Sequence, residues 1–521
     1  MSTPIQPDAL QRIMRHHEGT VDACIVGSGA AGGVLAKELA EAGMGVVVLE
    51  AGEWFGTRRD YVNDELSMLG RVDWDDLRIT DGDDPLRLGR VNTGRAVGGT
   101  TVHYTAMTLR LDPSDFRIAS ADGVGVDWPF DYDELAPYYA EVERTLPVSG
   151  PRSSVWRSGA PYPHGELPWS AKDDVIGVGL DKVGYHTEMT PHAIATGPVD
   201  GRSACMYYGF CVDGCKSDAK GSVNVSYLPK AVAAGAEIRP GCFATRIETE
   251  SGRATGVAYL YEGEERFQPA DRVFVCGYAI ETPRLLLNSG NLANSSDQVG
   301  RNLVVHSGPI VYGRFDQPLD SFITPPVGVM TRDPYGTQAG RDFLRGYLLN
   351  TYAQFPINFA HSLTSSNPDL WGEDLMEVLD EYAHWGLLAT LGEVLPNPDN
   401  RVTLADETDG NGVPVARVTF SYGDNDRALI EAMRDDGARI MEAAGATRLL
   451  FNNGNHHLLG TCRMGTDPAT SVVDADCRSH DVDGLWICDG SVFPTVGAVN
   501  PSLTIQAIAT RTARRLLAAG G

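Results

Sequence analysis

The segment DACIVGSGAAGG, residues 22–33, constrains this chain more than any other. Residues 22–27 read as a short buried strand. A turn follows with glycine at 27, 29 and 32, and then an amphipathic helix from about Gly32 to Ala42 with Leu35 and Leu39 on one face. Gly43 ends that helix, and GVVVLEAG, Gly45 to Gly52, reads as a second buried strand. In a strand–turn–helix of this kind Gly27 permits the tight turn. Gly29 lets a pyrophosphate approach the backbone, and Gly32 lets helix and strand pack closely. The helix N-terminus then faces the phosphate charge. Glu50 ends the second strand about 20 residues on, where an acid holds a ribose hydroxyl and repels a 2′-phosphate. The pattern predicts a dinucleotide other than NADP; the plainer alternative is a glycine-rich turn without a ligand.

A chain of 521 residues is too long for one ordinary core, and typical domain sizes suggest roughly two to four. The formal net charge of −26 opposes nucleic acid and anionic lipid. It suits a neutral or cationic substrate, or serves solubility alone. No run of about 18 apolar residues exists, so no membrane span is expected. The polar start MSTPIQPDALQRIMRHHEG carries no apolar signal segment. The nine cysteines are odd in number and sit mostly in apolar strands, unlike a disulfide scaffold. Together these features predict a cytoplasmic protein.

Further along, residues 145–170 and 313–342 are rich in Pro, Gly and Ser and read as long loops or boundaries. Residues 236–276 alternate as a β-meander that returns to a buried strand at Arg272–Cys276. Leu429, Met433 and Ile440 stand at helical spacing within 426–444. LWICDGS, Leu485 to Ser491, reads as a buried strand, and SLTIQAIATRTARRLLAAGG as a long final helix capped by Ser502 or the preceding Asn-Pro. The nucleotide domain is therefore assembled from distant segments, 15–130, 200–305 and 450–521. A second domain, 131–199 and 306–449, is inserted between them.

Two further motifs make the pattern specific. GRAVGGTTVHYTAM, residues 94–107, sets the pair Gly98-Gly99 before small polar residues. NHHLLGTCRMG, then VVDADCRSHDVDGLWICDGSVFPTVGAVNPSLTIQA, fills most of the last 70 positions. With the first motif these resemble the glucose–methanol–choline (GMC) oxidoreductase family over nearly the whole chain. FVCGYAIETPRLLLNSG (274–290) and VGRNLVVH (299–306) are also similar to it. The resemblance implies FAD, with the Gly98-Gly99 turn running past the flavin ring. His103, four places after Gly99, is the register at which some members bond the flavin covalently; elsewhere such a histidine only packs on the ring. The resemblance also implies that His457, three before the Gly460-Thr461 pair, is the catalytic base, that Asn500 is its partner, and that Asp489 and Gly490 form a second flavin contact. The chemistry suits these residue types. A neutral imidazole takes the hydroxyl proton as hydride leaves the carbon, and an amide holds the hydroxyl in line.

Cys205, Cys211 and Cys215 stand as C-x5-C-x3-C in ACMYYGFCVDGCKSDAKGS. Three close thiolates could ligate iron and sulfide, and the spacing is similar to members carrying a 3Fe–4S cluster; a structural loop accounts for it equally. A cluster would wire the enzyme to an external electron acceptor, whereas its absence leaves O₂ open. The expected fold is α/β: a Rossmann-like FAD-binding domain with an inserted α+β substrate domain on an antiparallel sheet. The expected activity is FAD-dependent oxidation of a secondary alcohol, foremost a ring hydroxyl of a pyranose sugar or glycoside. The alternatives are a long-chain or sterol alcohol, and an electron-transfer flavoprotein without turnover. Residues 313–400 match the family least and should shape substrate choice; their polar content suits a polyol.

Overall fold

The computed structural model describes residues 19–72, 77–88, 93–157 and 159–520. The expected start of the first domain, residues 15–18, lies outside them. Five parallel strands form the first sheet, in the order Leu485–Ile487, Val273–Val275, Ala23–Val26, Val46–Leu49, Glu237–Arg239. All five are buried along their length, as parallel strands covered on both faces must be. That explains why four of them appear in the sequence as unbroken apolar runs. Glu237–Arg239 does not look like an interior strand, and it was expected in the meander. It enters the sheet because Arg239 Nε donates to Glu237 Oε1 at 2.8 Å, and Arg239 Nη1 donates to Gln268 Oε1 at 2.9 Å. The meander itself is the three-stranded sheet Phe243–Glu250, Arg253–Tyr261, Glu264–Pro269.

The second large sheet has eight strands. Its main path runs Arg448–Asn452, Ile310–Arg314, Trp385–Glu393, Tyr347–Tyr352, Val327–Thr331, Glu188–Met189, with all neighbours antiparallel. Helix Asp424–Ala444 packs Leu429, Met433 and Ile440 onto it, together with helix Ala171–Lys182. Val327–Thr331 lies in the stretch read as a loop. Its five residues are buried, and Pro325 and Pro326 before it disguised the strand. Among the described residues, 145–170 remain largely irregular, with the short parallel pair Ser149–Gly150 and His164–Gly165. A strand Val304–Ser307 pairs with Trp385–Glu393 on one side and Asn455–Leu459 on the other. Asn455–Leu459 thus belongs to the substrate sheet, although the sequence placed residues from 450 onward in the nucleotide domain. The final helix, Ser502–Ala518, has no side-chain cap, contrary to expectation.

Helix Gly32–Glu41 packs on the parallel sheet and against the final helix. The fit of helix to strand rests on one atom: a Cβ on Gly32 would lie 1.8 Å from the Gly27 carbonyl oxygen and 3.2 Å from Ile25 Cγ2. Gly27 itself has φ +93°, which favours glycine. At Gly29, by contrast, a Cβ would meet only Gly99 Cα, at 3.6 Å. Gly32→Ala should therefore destabilise the fold by about 1–3 kcal/mol or more through overpacking, seen as a lower Tm. Gly29→Ala should fold normally, because its added methyl makes ordinary contact. A Tm for Gly32→Ala equal to wild type would overturn this account of the helix–strand contact.

Candidate active site

A cavity of about 1540 Å³ opens between the two large sheets. Gly27, Gly29, Glu50, Gly99, His103, His457, Asp489, Gly490 and Asn500 all line it. The structure therefore brings the separately read motifs to one place. Gly32 and Gly98 stand behind the wall. Gly98 has φ +101° and its N–H donates to Ser28 Oγ at 3.0 Å. Ser28 Oγ in turn donates to Glu50 Oε2 at 2.7 Å, and Ser28 N–H to the same oxygen at 2.9 Å. Glu50 Oε1 accepts from Gly52 N–H at 2.8 Å. Glu50 is thus first a brace between the glycine turns. Burial raises its pKa, while these donors pull it back, and a carboxylate has about four acceptor positions, so one remains for a ribose hydroxyl.

His103 follows the short helical turn Gly99–Val102 and is buried. It packs on Gly94, where a Cβ would lie 2.6 Å from His103 Nε2. Lys220 Nζ donates to the carbonyls on both sides of it, Val102 O at 2.8 Å and Tyr104 O at 3.3 Å. Lys220 also donates to Cys211 O, so the cysteine loop is tied to the His103 loop through one ammonium. Burial pulls the Lys220 pKa down to about 8. The three cysteines do not form a ligand set. No three His, Cys, Asp or Glu side chains among the described residues meet where they could hold a metal. Burial pushes the Cys211 thiol up to about 12 and raises Cys205 as well. No ligand set for a 3Fe–4S cluster is shown among the described residues.

Asp489 joins the last parallel strand to helix Tyr278–Asn288. Its Oδ2 accepts from Tyr278 N–H at 2.8 Å and Thr282 Oγ1 at 2.5 Å, and its Oδ1 from Ser491 N–H at 2.8 Å. His457 stands in a strand, not on a loop. Its φ is +54°, beside an irregularity in pairing between Val304 and His306. Its Nε2 lies 3.2 Å from Asn500 Nδ2 and its Nδ1 lies 3.0 Å from His306 Nδ1. His306 Nε2 is 2.8 Å from the Gly497 carbonyl oxygen. Burial lowers the pKa of His457 well below 6.5, and those of His306 and His456 to about 4. All three rings are neutral at pH 7. Asn500 Oδ1 is buried with no hydrogen-bond partner among the described residues.

Sequence reasoning singled out His457 and Asn500 but not the groups behind them. His306 closes VGRNLVVH, yet its partner Gly497 is 191 positions away. Gly497 N–H donates to Glu393 Oε1 at 3.2 Å. Glu393 Oε2 accepts from Arg345 Nε at 2.8 Å, and Arg345 also pairs with Asp115 and with Asp122 at 3.1 Å. Asp115 further accepts from the Tyr335 hydroxyl at 2.6 Å, and that hydroxyl accepts from Ala498 N–H at 3.1 Å.

Comparison with known proteins identifies the family. Two models described as GMC oxidoreductase match residues 171–308 and 396–509. The chain is 31% identical to a 2-methyl-1,2-propanediol dehydrogenase of Mycolicibacterium austroafricanum, over 94% of either chain. It is 32% identical to a paromamine 6'-oxidase of Streptomyces fradiae, over 95% of this chain and 90% of that one. It belongs to the GMC oxidoreductase family. A fructose dehydrogenase large subunit of Gluconobacter japonicus is 30% identical over 96% and 98%. The solved pyridoxine 4-oxidase from "Mesorbium loti" shares the fold, with TM-score 0.68 and 20% identity over 95% of this chain and 99% of that one. As a GMC oxidoreductase the protein is a flavoprotein acting on CH–OH donors of alcohols or sugars. Its cavity fits FAD: the uncapped N-terminus of helix Gly32–Glu41 opens beside Gly29, which lines the cavity, and the Gly99 turn follows.

The buried cluster behind the site gives a stability prediction. One guanidinium serves Asp115, Asp122 and Glu393, so Arg345→Met leaves buried carboxylates uncompensated and should cost about 3–5 kcal/mol. Burial and the neighbouring Glu393 charge hold the Asp115 carboxyl above the usual range. A raised carboxylate loses stability as pH rises through its folded value. The deficit in Arg345→Met should therefore grow as pH rises above about 4. Denaturant unfolding at several pH values measures it; a deficit independent of pH would contradict this charge balance.

Proposed function

We propose that the protein oxidises a secondary ring hydroxyl of a pyranose sugar or glycoside to a ketone, with His457 as base and Asn500 as its partner. The observation that carries this reading is the neutral His457 ring bonded to Asn500 in the cavity wall. His457 Nε2 receives the hydroxyl proton as the O–H bond breaks. Asn500 holds the same hydroxyl, and its Oδ1, with no partner among the described residues, supplies a further polar contact. When bound, FAD supplies the acceptor for the hydride that leaves the carbinol carbon. The sugar reading is supported by the polar side chains Asn350, Gln354, Thr390 and Asn452 in the cavity wall. These come largely from the segment 313–400. It is supported also by relatives named for fructose and paromamine oxidation. The same reading assigns His103 to the flavin as a covalent attachment point, on its burial in the cavity wall and the Lys220 clamp on the carbonyls beside it.

Anaerobic mixing with substrate tests the base. His457→Ala should lower the rate of flavin reduction by about 10²–10⁴ with FAD still bound, and Asn500→Ala should cost less. Because His457 must be neutral to accept a proton, and burial holds its pKa well below 6.5, the rate should stay flat as pH falls through 6.5. It should fall only at lower pH. Bleaching by long-chain alcohols and not by pyranosides would sink the sugar assignment. Unchanged bleaching in His457→Ala would move the base elsewhere.

Acid precipitation tests the flavin bond. The yellow colour should stay with the pellet in wild type and pass to the supernatant in His103→Ala. Release of all colour from the wild-type protein would remove the covalent assignment.

A further inference from the structure

The proton on His457 is dictated from a backbone carbonyl beyond the cavity. The Gly497 carbonyl can only accept, so His306 Nε2, at 2.8 Å, must donate to it. A neutral imidazole carries one N–H, which leaves His306 Nδ1 with a lone pair. His457 Nδ1, 3.0 Å away, must then donate to that lone pair. With its single proton so placed, His457 presents a bare Nε2, and the Asn500 amide donates to it at 3.2 Å. The opposite tautomer of His457 would set two ring lone pairs face to face at 3.0 Å, whichever way the Asn500 amide is turned.

Resting on the reading of His457 as base, we infer that His306 is a positioning residue that fixes the tautomer of His457, with Gly497 and Glu393 as its anchors. The anchors are built for aim. Gly497 has φ +60°, and a Cβ there would lie 2.5 Å from Leu111 Cδ2, so glycine is favoured at this position. Its N–H is held by Glu393, and Glu393 by Arg345. His306 and Glu393 are also direct neighbours in the sheet, so the strand pairing and the loop peptide fix one another. During oxidation the hydroxyl O–H bond breaks and an Nε2–H bond forms. The cationic His457 then donates its Nδ1–H to a neutral His306, a charge-assisted bond stronger than the neutral one it replaces.

Nitrogen-15 NMR of histidine-labelled holoenzyme reads the tautomers directly, with signals assigned from the variants below. In wild type the proton should sit on Nδ1 of His457 and on Nε2 of His306. His306→Asn, whose side-chain oxygen takes the place of Nδ1 as acceptor, should keep the His457 tautomer and most of the rate. His306→Leu should move His457 toward Nε2–H and slow flavin reduction by about 10²-fold, with little change in substrate Kd. Should His306→Leu not fold, His306→Met replaces it: its side chain has no oxygen or nitrogen to accept from His457 Nδ1. A wild-type His457 protonated on Nε2, or an unchanged His457 tautomer in His306→Leu or His306→Met, would overturn the inference. Had His457→Ala left flavin reduction unslowed while these tautomers were found, the base assignment would fail and the positioning would stand.

Discussion

Ser28 ties together three segments of the chain through side-chain hydrogen bonds. Its hydroxyl receives the Gly98 N–H and donates to Glu50, whose other oxygen holds Gly52. The first glycine turn, the end of the second parallel strand and the second glycine turn are thereby fixed relative to one another. All of these groups are buried or nearly so, and hydrogen bonds to a buried charged acceptor contribute about 1.5–3 kcal/mol. The positions of Gly99 and His103 follow, because a Cβ on Gly99 would lie 2.7 Å from Gly29 Cα. The two turns touch backbone to backbone, leaving a smooth channel wall for a flat, extended cofactor.

The opposite wall is organised by charge. Arg345, Asp115 and Glu393 are almost wholly buried, and a buried ion cluster seldom stabilises a fold relative to a well-packed apolar one. Its value here is geometric. Asp115 comes from the turn Pro113–Arg117, whereas Glu393 ends a strand of the substrate sheet and Arg345 lies just before another, Tyr347–Tyr352. Through Gly497 and Ala498 the cluster grips the loop that carries Asn500. The segment of Asp115 and the substrate sheet are thus joined beside His457 and Asn500.

Much of this was legible in the sequence, and the reason is locality. Gly27, Gly32 and Glu50 act on neighbours within about 25 positions, through strand and helix periods the sequence displays. His457 and Asn500 were found by their registers in a long signature, without any view of the contact between them. His306, Glu393 and Arg345 were not found, since their partners lie 48 to 230 positions away. Nothing near His306 distinguishes a tautomer anchor from a core histidine. The strand Glu237–Arg239 hid for the related reason that its charges are neutralised by each other and by Gln268, not by water. The cysteine spacing, through its similarity to members carrying a cluster, pointed equally to iron and sulfide or to a structural loop. The carbonyl of Cys211, and not its sulfur, makes the loop's connection to the site.

The backbone of His457 completes the argument. A left-handed φ of +54° on a non-glycine residue costs of order 1 kcal/mol and persists only where its surroundings over-determine it. They do so here through two ring nitrogens and a strand. Nδ1 is fixed by His306, Nε2 by Asn500, and the main chain by pairing with Val304–Ser307 across an irregular register. The irregularity lets adjacent residues His456 and His457 both face the cavity, which alternation along a regular strand forbids. The strained torsion is therefore what turns His457 out of the strand's alternation and onto His306. The lone pair of Nε2 is oriented before any substrate arrives, and the entropy of placing it is met by folding and not by the reaction.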